Sequence, residues 1–166
     1  VDSPLTENGI CQAEQAKQYF AKEGISFDAV YSSTQERATD TAKIVVPEYT
    51  VTQLKGIKEM NLGLLKLNQS TSSPNIDQFA LFEDLLVPYG GEDIREVGQR
   101  VLKTVLEKAE EHTKDGAENL LFVSHGAVSM GINHFHGLGL SLKEWALEIV
   151  MFVFMSIIKV NWSFFR

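Results

Sequence analysis

The residue of this sequence that is best placed to do chemistry is His125. It follows an apolar run of strand length, Leu120 to Val123, and is followed at once by Gly126. Such a run is typical of a buried strand that ends at the carboxyl edge of a sheet, where α/β proteins bind ligands. If a helix begins at Gly126, its backbone N–H groups would offer an anion site next to an imidazole. The alternative is a histidine that only completes a hydrogen bond in the core.

Two other charged side chains fit an anion site. Arg37 falls in the first turn of a helix predicted from Gln35 to Val45, at the end of the helix dipole that disfavours cations. A bound anion would remove this conflict, and so would a surface ion pair with Glu36 or Asp40. Glu59 lies in a loop of mixed polarity before a glycine, the kind of loop that presents side chains to a site. A lone glutamate in a loop is more often simply solvated.

The remaining histidines offer less. His112 stands among charged residues, Glu110 to Lys114, and is predicted to be a solvated residue on a helix face. His134 and His136 have the spacing of a possible metal pair, but no carboxylate or thiol lies close to them in sequence. We therefore expect no metal site and no other cofactor.

Ser124 next to His125 raises the possibility of a serine hydrolase. Neighbouring residues of a strand point to opposite faces of the sheet, so these two cannot form a nucleophile and base pair. The sequence also lacks the glycine-serine-glycine turn that presents such a nucleophile. This hypothesis is set aside.

Composition limits the possible functions. A chain of 166 residues with 44% hydrophobic and 22% charged residues predicts one folded domain over residues 1–166. The net charge of -7, with no run of Lys or Arg, argues against nucleic acid as a partner. The single cysteine, Cys11, excludes an internal disulfide and favours the cytoplasm.

Helical and strand patterns alternate along the chain, which predicts a parallel or mixed α/β sheet covered on both faces. The apolar run from Ile149 to Val160 is too short for a spanning helix and rich in β-branched and aromatic residues, so it predicts two closing strands and no membrane contact. The other predicted elements are a helix capped by Thr6 and ended by Gly24, a strand at Phe27–Tyr31, an extended piece at Thr50–Leu54, helices at Ile76–Leu86 and Ile94–His112, and a helix from Val128.

Several stretches together resemble the histidine phosphatase superfamily, the phosphoglycerate-mutase-like group. Each is weakly specific alone, but their order and spacing over most of residues 2 to 137 are specific. They are Ser3–Gly9 (SPLTENG), Tyr31–Ala42 (YSSTQERATDTA), Lys58–Gly63 (KEMNLG), Gly91-Glu92 with Arg100, and Phe122–Gly126 (FVSHG).

The resemblance implies a three-layer α/β/α fold with a mostly parallel sheet and a phosphate pocket at its edge. In this family a histidine of an Arg-His-Gly motif attacks phosphorus. The resemblance makes Arg37 the phosphate clamp, Glu59 the proton donor, His125 the second histidine and Gly126 N–H an anion contact. It also implies a small phosphorylated substrate, and it leaves a homodimer open.

The sequence departs from the family in one respect that matters for chemistry. It contains no Arg-His-Gly, and its first matching residues are those that the family places after that motif. The domain is therefore expected to be truncated at its N-terminus, and the chain as given to be inactive without the missing strand.

Three functions remain open at this point. The segment from Gly63 to Gly91 is shorter than the insertion that phosphoglycerate mutases carry, which favours a phosphomonoester phosphatase. Mutase activity is the first alternative, and a non-catalytic member that binds phosphorylated ligands through Arg37 and His125 is the second.

Overall fold

The computed structural model describes residues 3–64, 84, 86–113, 119–137, 147–152 and 155–161. Four helices and five strands lie in these ranges, in the alternating order that the sequence predicts. In chain order they are α1 (Glu7–Lys22), β1 (Ala29–Ser33), α2 (Glu36–Val45), β2 (Val51–Leu54), α3 (Ile94–Thr113), β3 (Asn119–His125), α4 (Gly126–Gly137), β4 (Leu147–Phe152) and β5 (Met155–Asn161).

The five strands form one sheet in the order β2-β1-β3-β5-β4. β1 pairs in parallel with both β2 and β3, whereas β5 is antiparallel to β3 and β4. Four strands therefore run in one direction and β5 runs in the other, which confirms the mostly parallel sheet. The two closing strands are confirmed as well. Because β2, β1 and β3 are parallel neighbours, their carboxyl ends meet at one edge.

A hydrophobic core lies on each face of the sheet, as expected for three layers. Successive residues of β3 point to alternate faces, so Leu120 and Phe122 pack under α3 and α4, whereas Leu121 and Val123 pack under α1 and α2. All four side chains are fully buried. Burial on both faces explains why this strand is continuously apolar.

The strand predicted at Phe27–Tyr31 is displaced, since β1 runs from Ala29 to Ser33. Phe27 instead lies before the strand, where its ring meets Phe20 edge-on. Ser33 ends β1, and its buried hydroxyl has hydrogen-bond partners inside the protein, which allows a serine to end a core strand.

The prediction that His112 is solvated is wrong. Its Nε2 lies 2.6 Å from the Tyr31 hydroxyl, and its side chain is half-buried against β1. Tyr31 itself stacks on Phe122 in the core. His112 occupies the last turn of α3, and that turn lies against the sheet. The charged residues next to it in sequence therefore do not indicate that His112 itself faces solvent.

Helices α3 and α4 approach each other at two glycines. A Cβ placed on Gly131 would stand 2.9 Å from the Gly98 backbone nitrogen and 3.0 Å from the Ile94 carbonyl oxygen. Such distances are too short for ordinary packing, so the absence of a side chain sets the spacing of this helix pair.

Other predictions have mixed outcomes. Thr6 caps α1 by accepting a hydrogen bond from the Gly9 backbone N–H at 3.1 Å, as expected. The last helix starts at Gly126 rather than Val128, directly after His125. The helix predicted at Ile76–Leu86 lies almost wholly outside the described residues. Among the described residues no helix is long and apolar enough to cross a membrane.

Candidate active site

Three adjacent strands deliver the candidate residues to one edge of the sheet. Arg37 lies in the first turn of α2, just after β1, and Glu59 follows β2 and a short helical turn. His125 is the last residue of β3. Glu59 Oε2 lies 3.9 Å from Arg37 Nη2 and 3.9 Å from His125 Nδ1. The structure thus brings together the three side chains that the sequence singled out.

His125 is fully buried and bonded to a residue that sequence analysis missed. Its Nε2 lies 2.6 Å from Ser33 Oγ, and that oxygen also accepts the Gln35 backbone N–H at 3.2 Å. When the Ser33 hydroxyl donates to Nε2, neutral His125 carries its ring proton on Nδ1, the nitrogen nearer to Glu59.

Burial, reinforced by the positive charges of Arg37 and Arg100, lowers the pKa of His125 from 6.5 to about 3. The imidazole is therefore neutral at physiological pH, and its 3.9 Å separation from Glu59 is not an ion pair. A neutral ring can contact an anion through an N–H, which Nδ1 carries when the Ser33 hydroxyl donates to Nε2.

The pKa of Glu59 is shifted in the opposite direction, upwards. Burial raises the pKa of its carboxyl group, and this outweighs backbone hydrogen bonds from Met60 and Ala127 and the charge of Arg37, which act in the other direction. A carboxyl group with a raised pKa holds a proton more readily near neutral pH, as a general acid must.

The loop of Glu59 is held by a second residue that sequence analysis missed. Gln35 stands at the N-cap position of α2 but makes no capping bond. Its side-chain Oε1 instead accepts the backbone N–H of Glu59 at 2.9 Å. Ser33 and Gln35 lie in the stretch that carries the family resemblance, but no local sequence pattern indicates that they form hydrogen bonds with residues far away in sequence.

Gly126 opens α4 directly beside His125. A Cβ built on it would meet no atom within 4 Å, so the space next to this glycine is open. The helix start and the adjoining space are compatible with an anion contact at its N–H. The side chains of His134 and His136, farther along α4, lie outside the described part of the chain, so the expectation of no metal there stays a prediction.

Ser33, His125 and Glu59 stand in the order of a hydrolase triad, but they do not form one. Ser33 is fully buried, and its Oγ is occupied by the 2.6 Å contact with His125 Nε2, so this hydroxyl is not accessible to a substrate carbonyl. Ser124 points to the other face, where its hydroxyl donates to the Ile57 carbonyl oxygen at 2.8 Å. The exclusion of a Ser124–His125 pair is confirmed.

Gly63 ends the loop of Glu59 in a conformation that disfavours other residues. Its φ is 59°, and a Cβ there would stand 2.2 Å from the Tyr89 carbonyl oxygen and 2.6 Å from the Gly91 backbone nitrogen. Both obstacles are backbone atoms, which cannot move aside cheaply. The loop therefore packs directly against the turn that precedes α3.

Replacing Gly63 with alanine is expected to lower the free energy of unfolding by about 2 to 4 kcal/mol, from the positive φ together with the steric clash. Gly24→Ala is the matched control, since Gly24 has a φ of 65° with no atom within 4 Å of its Cβ position. Gly24→Ala should lower the free energy of unfolding only by the contribution of the positive φ, about 1 to 2 kcal/mol. Equal losses in urea unfolding of the two variants would contradict the packing described here.

The chain is similar to known proteins in sequence. The family model of the histidine phosphatase superfamily (branch 1) matches residues 1–159. A 2,3-bisphosphoglycerate-dependent phosphoglycerate mutase of Azorhizobium caulinodans is 30% identical in an alignment of 135 residues that covers 75% of this chain and 65% of the relative. The chain thus matches somewhat less than two thirds of that relative's length.

Solved structures agree in fold. The phosphoglycerate mutase of Bacillus anthracis superposes with a TM-score of 0.66 at 25% identity, over 81% of this chain and 69% of that one. The phosphoserine phosphatase of Entamoeba histolytica, solved with 3-phosphoglyceric acid, gives a TM-score of 0.59 at 27% identity, over 80% and 66% of the two chains. With the family match over 159 residues, the conclusion is direct: this chain belongs to the histidine phosphatase superfamily, branch 1.

Proposed function

We propose that the protein hydrolyses small phosphomonoesters through a phosphohistidine intermediate. The observation that carries the proposal is the convergence of Arg37, Glu59 and His125 at the carboxyl edge of the sheet, in a member of this superfamily. Phosphoryl transfer depends on positioning and charge stabilisation, and these side chains supply a cation, an acid and a hydrogen-bond donor.

Arg37 is proposed as the phosphate clamp. Its guanidinium group stays charged and can pair with two phosphoryl oxygens at once. His125 donates its Nδ1–H to a third oxygen, and the Gly126 N–H at the start of α4 contacts the same anion. A phosphoryl dianion beside His125 would favour the imidazolium form and so raise the pKa that burial lowers.

Glu59 is proposed as the proton donor. When the histidine nucleophile attacks phosphorus, the ester P–O bond breaks, and the Glu59 carboxyl group protonates the departing oxygen. The resulting carboxylate then takes a proton from the water that attacks phosphohistidine, which releases inorganic phosphate and restores both groups.

The reaction needs a histidine nucleophile in addition to these residues. The family resemblance places it in an Arg-His-Gly motif, which the 166 residues do not contain. The assay is therefore made on the protein as its cell produces it, and its intact mass is compared with the 18.5 kDa of this chain. A larger mass together with an acid-labile phosphohistidine during turnover would support the proposal.

Two other functions have an observation in their favour. The names of the curated relative and of the Bacillus anthracis structure favour phosphoglycerate mutase activity, in which a second hydroxyl rather than water receives the phosphoryl group. A binding protein without turnover would use the same cluster of side chains, with Arg37 and His125 holding a phosphorylated ligand. Interconversion of phosphoglycerates faster than phosphate release would identify a mutase, and protection by phosphate against thermal unfolding with no turnover would identify the binding protein.

Glu59→Gln tests the proposed proton donor. The variant is expected to hydrolyse an alkyl phosphate about 10² to 10⁴ times more slowly, the usual contribution of a general acid. The first-turnover burst of dinitrophenolate from dinitrophenyl phosphate should keep nearly the normal rate, since that leaving group needs no proton. The later hydrolysis of phosphohistidine, in which Glu59 takes a proton from water, should slow with both substrates. Glu48→Gln, at an exposed position, serves as the control. Equal losses in alkyl phosphate hydrolysis and in the dinitrophenolate burst would show that Glu59 is not the donor.

A further inference from the structure

Arg100 contacts the loop that carries Glu59, because its guanidinium group donates hydrogen bonds to the backbone of that loop. It lies in α3, and its Nη1 donates to the Gly56 carbonyl oxygen at 2.8 Å and to the Lys58 carbonyl oxygen at 2.9 Å. Its Nη2 lies 3.4 Å from the carbonyl oxygen of Glu59 itself. One guanidinium group therefore contacts three carbonyl groups on the approach to the proposed acid.

Glu92 completes the arrangement from the other side. Its carboxylate accepts from Arg100 Nε at 2.8 Å and from Nη2 at 3.0 Å, a paired contact in the plane of the guanidinium group. The same carboxylate accepts the Asn61 backbone N–H at 2.7 Å, and the Glu92 N–H donates to the Asn61 carbonyl oxygen at 2.9 Å. The pair thus holds the chain on both sides of Glu59.

Gly56, in the same segment, packs closely against α3. A Cβ on Gly56 would stand 1.9 Å from Thr104 Oγ1, one turn along α3 from Arg100. The backbone before Glu59 therefore lies directly on α3, where the guanidinium group can reach its carbonyl oxygens.

We propose that the Arg100–Glu92 pair positions the proton donor, by fixing the backbone of residues 56–61 so that the Glu59 carboxyl group faces Arg37 and His125. We assign no substrate contact to either Arg100 or Glu92. The inference rests on the proposed function, because it assigns a role within that reaction.

Arginine is required for this role by its shape. The planar group directs N–H donors outward in fixed directions, so a single residue can bond a carboxylate on one edge and carbonyl oxygens on the other. Lysine keeps the charge but presents a single compact ammonium group. Arg100→Lys therefore removes the geometry and preserves the electrostatics.

The test compares two substrates in the full-length protein. Arg100→Lys is expected to slow hydrolysis of an alkyl phosphate about tenfold to a hundredfold, the scale of a small misplacement of a catalytic group. The first-turnover burst of dinitrophenolate from dinitrophenyl phosphate, which is the rate compared here, should hardly change, because this step does not depend on the acid. Glu92→Gln keeps an oxygen for the Asn61 N–H, and it should lose rate on the same substrate to a smaller extent. This second variant keeps the proposal testable if Arg100→Lys fails to fold.

Arg95→Lys is the matched control. Arg95 lies on the same helix and also pairs with a carboxylate, that of Asp93, so the substitution is chemically the same. It should leave the ratio of the two rates unchanged. Equal loss on both substrates in Arg100→Lys and Glu92→Gln, or no loss on either, would overturn the proposed role. If the unmodified protein hydrolyses neither substrate, the proposed function itself fails, and this result is distinct from the others.

Discussion

Arg37→Ala is expected to lower kcat/KM for phosphomonoester hydrolysis by about two to three orders of magnitude, the scale of losing one preorganised stabiliser of transition-state charge. Arg37 is the side chain that can pair two phosphoryl oxygens, and the negative net charge of -7 provides no general attraction for an anion to replace it. The loss should appear equally with alkyl and aryl phosphates, because the clamp holds the phosphoryl group that both share.

The measurement is steady-state kinetics of the full-length protein with Lys43→Ala as the control. Lys43 is a cation of the same helix, exposed and paired with Asp40 at 3.7 Å, so its loss should leave kcat/KM within about a factor of two. Arg37→Lys should recover only part of the rate, since an ammonium group cannot form the bidentate pair. An Arg37→Ala variant as active as Lys43→Ala would refute the assignment of the clamp.

The second large effect concerns stability in acid. The pKa of His125 is lowered from 6.5 to about 3 in the folded protein, mainly by burial. Between these values the unfolded chain binds a proton that the folded chain does not, so stability rises with pH in this window and is lost as the pH falls. The contribution of this one group is about 1.4 kcal/mol for each pH unit.

Urea unfolding at several pH values between 7 and 4 measures this slope. His125→Gln removes the titrating group and keeps a polar side chain next to Ser33, so its stability should fall less steeply with acid by about the stated amount. Other groups contribute alike to both proteins and cancel in the difference. Parallel curves for the two proteins would show that His125 is not buried in its neutral form.

Local patterns predict much of this site because strand ends and helix starts are local features. An apolar run that stops at a histidine places His125 at the edge of the sheet, and the helix pattern places Arg37 in a first turn. These positions depend on a few neighbouring residues. The sheet then brings them together because parallel neighbours end at the same edge.

The contacts that support the site could not be predicted in this way. Ser33 and His125 are 92 residues apart in sequence, and Arg100 and Gly56 are 44 apart. Each contact depends on strand order, on register and on how α3 lies over the sheet. The same reason explains the error at His112, whose partner Tyr31 is 81 residues away and whose charged neighbours gave no sign of it.

The glycine contact between α3 and α4 has a consequence for the geometry of the candidate site. α3 holds the loop of the proposed acid through Arg100, and α4 starts at the proposed anion contact, Gly126. The distance between these two parts of the site is therefore set in part at Gly131, whose backbone lies against that of Gly98. A side chain at Gly131 would have to push the two helices apart, and so would move the proposed acid relative to Gly126 without changing any of the residues proposed to contact the substrate.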